Sequence, residues 1–262
     1  MILGNCHLCG NYGELTKEHV PPKSAFNRGR HIIVDFEKSI RMDPFEKPKG
    51  KIREGGIKYQ TLCGRCNNLT GRLYVNAYAD WTFQGMQILL KANGKPTLNY
   101  GYFIFPLRVL KEILTMLFAI SYEGFNLDHP ELTKFVLNKD EKYLNPKYRI
   151  YTYYNIEGRY RYNGLSAHYN GKDIVKLAEI TFPPFGYVLT INSVEPDKRL
   201  HDITYFAKYN YNHFDSFFIS PVALPTHISQ FSGDYREKKE IQETINENQR
   251  FEIERKIREG IQ

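Results

Sequence analysis

The chain has 262 residues, 42% of them hydrophobic and 25% charged, with 20 Tyr and 17 Phe. It is long enough for a small module and a larger second domain, and too aromatic for an intrinsically disordered polymer. No run of about 18 apolar residues occurs, which argues against a membrane-spanning helix, and the start Met1-Ile2-Leu3-Gly4-Asn5 lacks the basic and apolar regions of a secretory signal, so a cytoplasmic protein is expected. The net charge of +7 is uneven: residues 1–70 carry 12 Lys or Arg against 7 Asp or Glu. That balance fits a polyanionic partner, and it also fits plain solubility.

In chain order, the first feature is Cys6-His7-Leu8-Cys9, flanked by Gly10 and Gly13, which reads as a knuckle turn. Its counterpart is Cys63-Gly64-Arg65-Cys66, and the two pairs use all four cysteines of the chain. Two Cys-x-x-Cys turns can place four thiolates around one structural zinc; the competing arrangement is two disulfides in a secreted protein. His7 and His31 are bystanders, because four thiolates saturate a tetrahedral ion.

Residues 15–20, Leu-Thr-Lys-Glu-His-Val, read as a short strand that ends at Pro21-Pro22. Strict alternation would send Glu18 and His19 to opposite faces, so a twist or bulge is needed to bring both to one ion. An adjacent carboxylate and imidazole offer a hard oxygen ligand for a divalent cation and a base for water. Residues 23–58 read as an irregular basic loop, with Arg28, Arg30, Arg41, Lys47, Lys49, Lys51 and Arg53 among prolines and glycines. A strand over 57–62 then leads into the second knuckle. A helix from about 67 to 90 follows, its buried stripe made of Leu69, Leu73, Tyr74, Ala77 and Trp81 and weakened by Gly71 and Gly85. The order strand, loop, strand, helix is that of a ββα-metal site.

Cys6-x-x-Cys9, Glu18-His19-Val20-x-Pro22 and Cys63-x-x-Cys66-Asn67 together resemble the HNH endonucleases, in the branch supported by a four-cysteine zinc. The resemblance covers residues 5–75. It implies that His19 is the general base, that Glu18 and Asn67 are ligands of a catalytic divalent cation (Mg2+ or Mn2+), and that Cys6, Cys9, Cys63 and Cys66 hold structural Zn2+. Asn68 competes with Asn67 for the last position. Glu stands where Asp is commoner, the segment from His19 to Cys63 is long, and the middle Asn that braces the base in this family is not identified; Gln60 or Thr61 are the candidates. A lysine that often follows the terminal Asn is absent.

A turn at 92–96 closes the module, giving expected domains of 1–94 and 95–262. In the second, 106–122 reads as an apolar core helix. Strands are expected at 148–154 and 159–162, joined as a hairpin, and at 179–182 and 187–191, with 202–209 and 214–219 extending the same sheet. Its alternating Tyr and Arg fit a base-stacking surface or, more ordinarily, half-buried strand positions. Residues 233–262, with 7 basic and 8 acidic side chains, read as a solvated helix that docks on its own domain or on a partner. The expected fold class is α+β. The expected function is a metal-dependent HNH-type endonuclease acting on nucleic acid, DNA ahead of RNA, and resembling bacterial defence effectors. The alternative is a non-catalytic zinc module that binds nucleic acid or protein. The second domain would serve a protein partner or homo-oligomerisation.

Overall fold

The computed structural model describes residues 1–91, 100–169 and 173–259. The chain begins β1 (Ile2–Asn5), β2 (Tyr12–His19), β3 (His31–Ile33), α1 (Phe36–Arg41), β4 (Lys51–Arg53), β5 (Lys58–Cys63), α2 (Gly64–Lys91). β1, β2 and β5 form an antiparallel sheet in the order β1-β2-β5, and α2 starts directly at the end of β5. The expected strand, strand and helix are therefore present. The intervening segment is less irregular than its glycines and prolines imply. β3 and β4 pair there as a ribbon, with Ile32 opposite Ile52, because Pro44, Pro48, Gly55 and Gly56 fall outside the paired positions and leave the ladder intact.

The rest of the chain runs β6 (Tyr100–Ile104), α3 (Pro106–Ile120), α4 (Phe125–Asp128), α5 (Pro130–Leu137), β7 (Tyr148–Tyr154), β8 (Arg161–Tyr169), β9 (Ile174–Phe182), β10 (Phe185–Ile191), β11 (His201–Asp202), β12 (Asp215–Ile219) and α6 (Lys238–Glu259), with a 3-10 turn at Thr204–Lys208. The fold is α+β throughout. A five-stranded antiparallel sheet has the order β11-β7-β10-β9-β8. Three expectations are corrected here. β7 and β8 do not form a hairpin: β10 lies beside β7 and β9 beside β8, because backbone pairing over long separations outweighs the local turn signal at 155–158. Residues 204–208 form the 3-10 turn and not a strand, and β12 pairs with β6 outside the large sheet. Tyr148, Tyr151, Tyr153 and Tyr154 are buried, so they are core residues and not a stacking surface.

The boundary expected near residue 94 lies outside the described residues. On either side of it the side chains join one buried cluster, which includes Leu62 and Trp81 as well as Leu110, Ile150 and Leu189. Trp81 stacks on Phe185 at 4.5 Å between ring centroids and donates its indole N–H to Tyr187 Oη at 2.9 Å. α3, whose residues 106–119 are buried except Arg108, lies beneath both halves: the Thr61 hydroxyl donates to Ala119 O at 2.8 Å, and Tyr74 Oη on α2 donates to Val136 O at 2.7 Å. Of the described side chains of α6, Ile241 is buried whereas Phe251 and Ile253 are exposed. No described helix is long and apolar enough to cross a membrane.

The two glycines of α2 differ in kind. A Cβ at Gly71 would meet nothing within 4 Å, whereas one at Gly85 would sit 2.4 Å from Phe185 Cζ. Gly71→Ala should raise the unfolding free energy by about 1 kcal/mol, the ordinary helix gain. Gly85→Ala should lower it by about 1–3 kcal/mol through overpacking. Urea denaturation of the two variants checks both signs, and equal shifts would contradict the packing at Phe185.

Candidate functional site

The sulfur atoms of Cys6, Cys9, Cys63 and Cys66 lie within 4.8 Å of one another, and all four cysteines are unbridged. Local backbone geometry accounts for this. The Cys6 carbonyl accepts the Gly10 N–H at 2.8 Å, closing the first turn with Gly10 at φ +77°, a conformation that favours glycine. Cys63 ends β5 and Cys66 lies in the first turn of α2. The Cys63 N–H approaches Cys6 Sγ at 3.3 Å. A hydrogen bond from Cys66, with further help from the backbone amides of Cys9, Cys63 and Leu8, holds the Cys6 thiol at about 4 against the opposing effect of burial. Four converging sulfurs, one of them already anionic, could hold a structural metal ion such as zinc.

β2 and β5 bring the candidate catalytic residues to this cluster's edge. His19, the last residue of β2, pairs with Lys58 across the sheet, and Glu18 pairs with Tyr59. The register shift lies earlier, between Thr16 and Glu18, where β5 carries the extra residue. The bulge therefore does not bring Glu18 and His19 to one face: they leave consecutive, regularly paired positions and point to opposite sides. Asn67 is brought to the Glu18 side. Its Nδ2 donates to Thr16 Oγ1 at 3.0 Å and to Lys17 O at 3.4 Å, and Thr16 shares the face of Glu18 two residues on. Both bonds use the amide nitrogen, so Oδ1 is the atom left for a ligand role. Asn68 is exposed.

His19 Nε2 lies 3.1 Å from Gly55 O. A carbonyl can only accept, so Nε2 carries the proton and the lone pair resides on Nδ1. Partial burial first, then the Lys58 and Lys23 charges, depress the imidazole pKa below its ordinary 6.5, against a smaller upward effect of the Gly55 bond. The ring is thus neutral near pH 7, the form a general base requires. Glu18 is the opposite case. It is only 7% exposed, and its Oε2 has no hydrogen-bond partner. Burial, and secondarily the nearby Cys6 thiolate, push its carboxyl up to about 8. A buried carboxylate with an orphaned oxygen needs a proton or a cation, so the donor set of Glu18 and Asn67 fits a hard divalent ion.

Asn27 is the residue that the sequence reading misses. It is 1% exposed, and its Nδ2 donates to Pro21 O at 2.7 Å and Ile57 O at 2.9 Å while its Oδ1 accepts the Ile57 N–H at 2.7 Å. It ties the exit of β2 to the entrance of β5 on either side of His19. Gly56 makes room for it: at φ +82°, its Cβ would fall 2.2 Å from Asn27 O. Gln60, one candidate for the brace, instead donates to Leu15 O, and Thr61 donates to Ala119 O. A buried Asn in a segment of otherwise exposed polar residues was the available signal, and it is visible only once burial is known. Around His19, the side chains of Lys23, Arg28, Arg30, Lys51, Arg53 and Lys58 are exposed. Arg159 reaches across from the second half to hold the basic segment, donating to the carbonyls of Asp43, Pro44 and Glu46 at 2.9–3.0 Å.

Comparison with family models, curated proteins and solved structures finds no match for this chain.

Two measurements follow from this geometry. Elemental analysis of the purified protein should find about one zinc per chain, and Cys66→Ser should lower both zinc content and thermal stability; full zinc-free stability would remove the metal from the site. Asn27→Ala strands the Ile57 N–H and two carbonyls in the interior, so it should cost on the order of 3 kcal/mol of stability in a denaturant titration while leaving zinc content near that of the parent.

Proposed function

We propose that the protein is a metal-dependent endonuclease of the HNH type, hydrolysing phosphodiester bonds. The observation that carries this reading is the imidazole of His19: one nitrogen is committed to a backbone carbonyl, the other is a neutral base, and lysines stand on both sides of it. His19 Nδ1 would take the proton of the attacking water. Lys23 and Lys58 would hold the negatively charged phosphates beside it, and the exposed Lys and Arg of 28–53 would bind the flanking backbone. Asn27 and the Gly55-Gly56 turn keep the imidazole in its tautomer and orientation. Glu18 and Asn67 would hold a Mg2+ or Mn2+ ion, which when bound stabilises negative charge on phosphate oxygens. A zinc at the four cysteines would be structural, fixing the start of α2 against β2. DNA as the substrate, ahead of RNA, and a cytoplasmic role in bacterial defence rest on the family resemblance alone.

One observation favours a second reading, a zinc module that binds nucleic acid or protein without cutting it. Glu18 and His19 point to opposite faces of β2, which separates base from acidic ligand. Nicking of supercoiled plasmid with Mg2+ or Mn2+ distinguishes the two. The nuclease reading expects cleavage that His19→Ala reduces by about 10²–10⁴-fold, the usual range for a general base. It also expects a rate that falls as acid protonates His19, with the inflection below pH 6.5 because the imidazole's pKa is lowered. Plasmid left intact by both proteins across metals would favour the binding module.

A further inference from the structure

Outside the stretch that carries the resemblance, α3 delivers a carboxylate to the inner side of the β2–β5 sheet. Glu112 is fully buried, and neither of its oxygens has a hydrogen-bond partner. The molecule does not treat its other buried charges this way. Arg161 and Glu179, equally buried, bind each other at 3.1 Å and are further satisfied by Tyr153, Tyr235, the Gly233 amide and the Ile228 carbonyl. An unpaired carboxylate in the interior costs several kcal/mol, so Glu112 is either protonated or balanced by something positive.

Its surroundings supply three further observations. Glu18, also buried, is close enough for its charge to act on Glu112 and carries an orphaned oxygen of its own. Tyr162 has a buried hydroxyl with no partner, and its ring stacks 6.0 Å from Tyr59, the cross-strand neighbour of Glu18. Tyr78 of α2 senses both Glu112 and Tyr162: after burial itself and the adjacent Tyr187, these two groups raise its phenol further. Four unpaired oxygens, Glu18 Oε2, both of Glu112 and the hydroxyl of Tyr162, thus belong to one buried neighbourhood between β2, α3 and β8. No lysine, arginine or histidine is hydrogen-bonded to any of them among the described residues. Buried oxygens in such a group are the ligand type of a hard divalent cation such as Mg2+ or Mn2+.

We propose that Glu112 completes the cation site of Glu18, so that a divalent metal ion binds between β2 and α3 with the Tyr162 hydroxyl beside it. This inference rests on Glu18 as a cation ligand but not on hydrolysis by His19. It makes α3, and with it the second half of the chain, part of the metal site.

The test is Mn2+ binding to the full chain with zinc retained, followed by isothermal titration calorimetry and by the electron paramagnetic resonance signal of free Mn2+. The unaltered protein should take up one Mn2+ in addition to its zinc. Glu112→Gln, which keeps the shape and removes the charge, should weaken that binding at least tenfold, as should Glu18→Gln. It should also abolish the rise in melting temperature that Mn2+ gives the parent, while melting no lower than the parent without Mn2+. Should Glu112→Gln fail to fold, Glu112→Asp serves, since a carboxylate drawn back by one methylene must also bind more weakly. Unchanged affinity in the Glu112 variants, or no uptake by the parent, overturns the proposal. His19→Ala should bind Mn2+ normally. A parent that binds Mn2+ through Glu112 yet never nicks plasmid would sink the nuclease reading and leave this one standing.

Discussion

The convergence of four sulfur atoms is the constraint on which the rest of the site depends. Cys9 and Cys63 lie 54 positions apart in sequence yet 3.9 Å apart in space, so a metal at this point would close a long loop at its base. Everything between, including β3, β4 and the basic segment, then starts and ends at fixed places. The same closure sets the first turn of α2 beside β2, which is why Asn67 can reach Thr16. Asn27 performs the equivalent service at the far end of the strand pair, where no metal is near. A hydrophobic substitute there would fill space but leave the Ile57 N–H without a partner.

The two halves of the chain share an interior, and that bears on how the site is built. α3 lies under the β1-β2-β5 sheet and under the tyrosine-rich sheet at once, so residues from the second half reach the first: Arg159 holds the basic segment by three carbonyls, and Glu112 approaches Glu18. Buried charges elsewhere are individually settled. Lys111, next to Glu112 in sequence, donates to two carbonyls, and burial brings its pKa down to about 7. Against that background the unpaired Glu112 is conspicuous, because a fold that satisfies Lys111 and Arg161 has the means to satisfy Glu112 as well.

Helices α2 and α3 and strands β2, β5, β9 and β10 were legible in the sequence because each carries its own period of apolar residues and is bounded by Gly, Pro or a cysteine turn. The cysteine cluster was legible for a related reason: spacing within a Cys-x-x-Cys pair is a local property. Strand partnership was not. The signal at 155–158 indicates a turn, and nothing in β7 records that β10, some 30 residues later, competes for its edge. Tyr154 shows the same limit, since β propensity identifies the strand but not whether its face is covered.

By itself, then, the sequence determined the element types, the thiolate set, the basic character of the first seventy residues and the pairing of a carboxylate with an imidazole. Tertiary structure alone decided where those two side chains point, that Asn27 rather than Gln60 or Thr61 ties the strands, and that Glu112 lies behind Glu18. The physical reason is that periodicity and turn chemistry act over a few residues, whereas burial, tautomer and the fate of an orphaned oxygen depend on groups that meet only when distant segments pack.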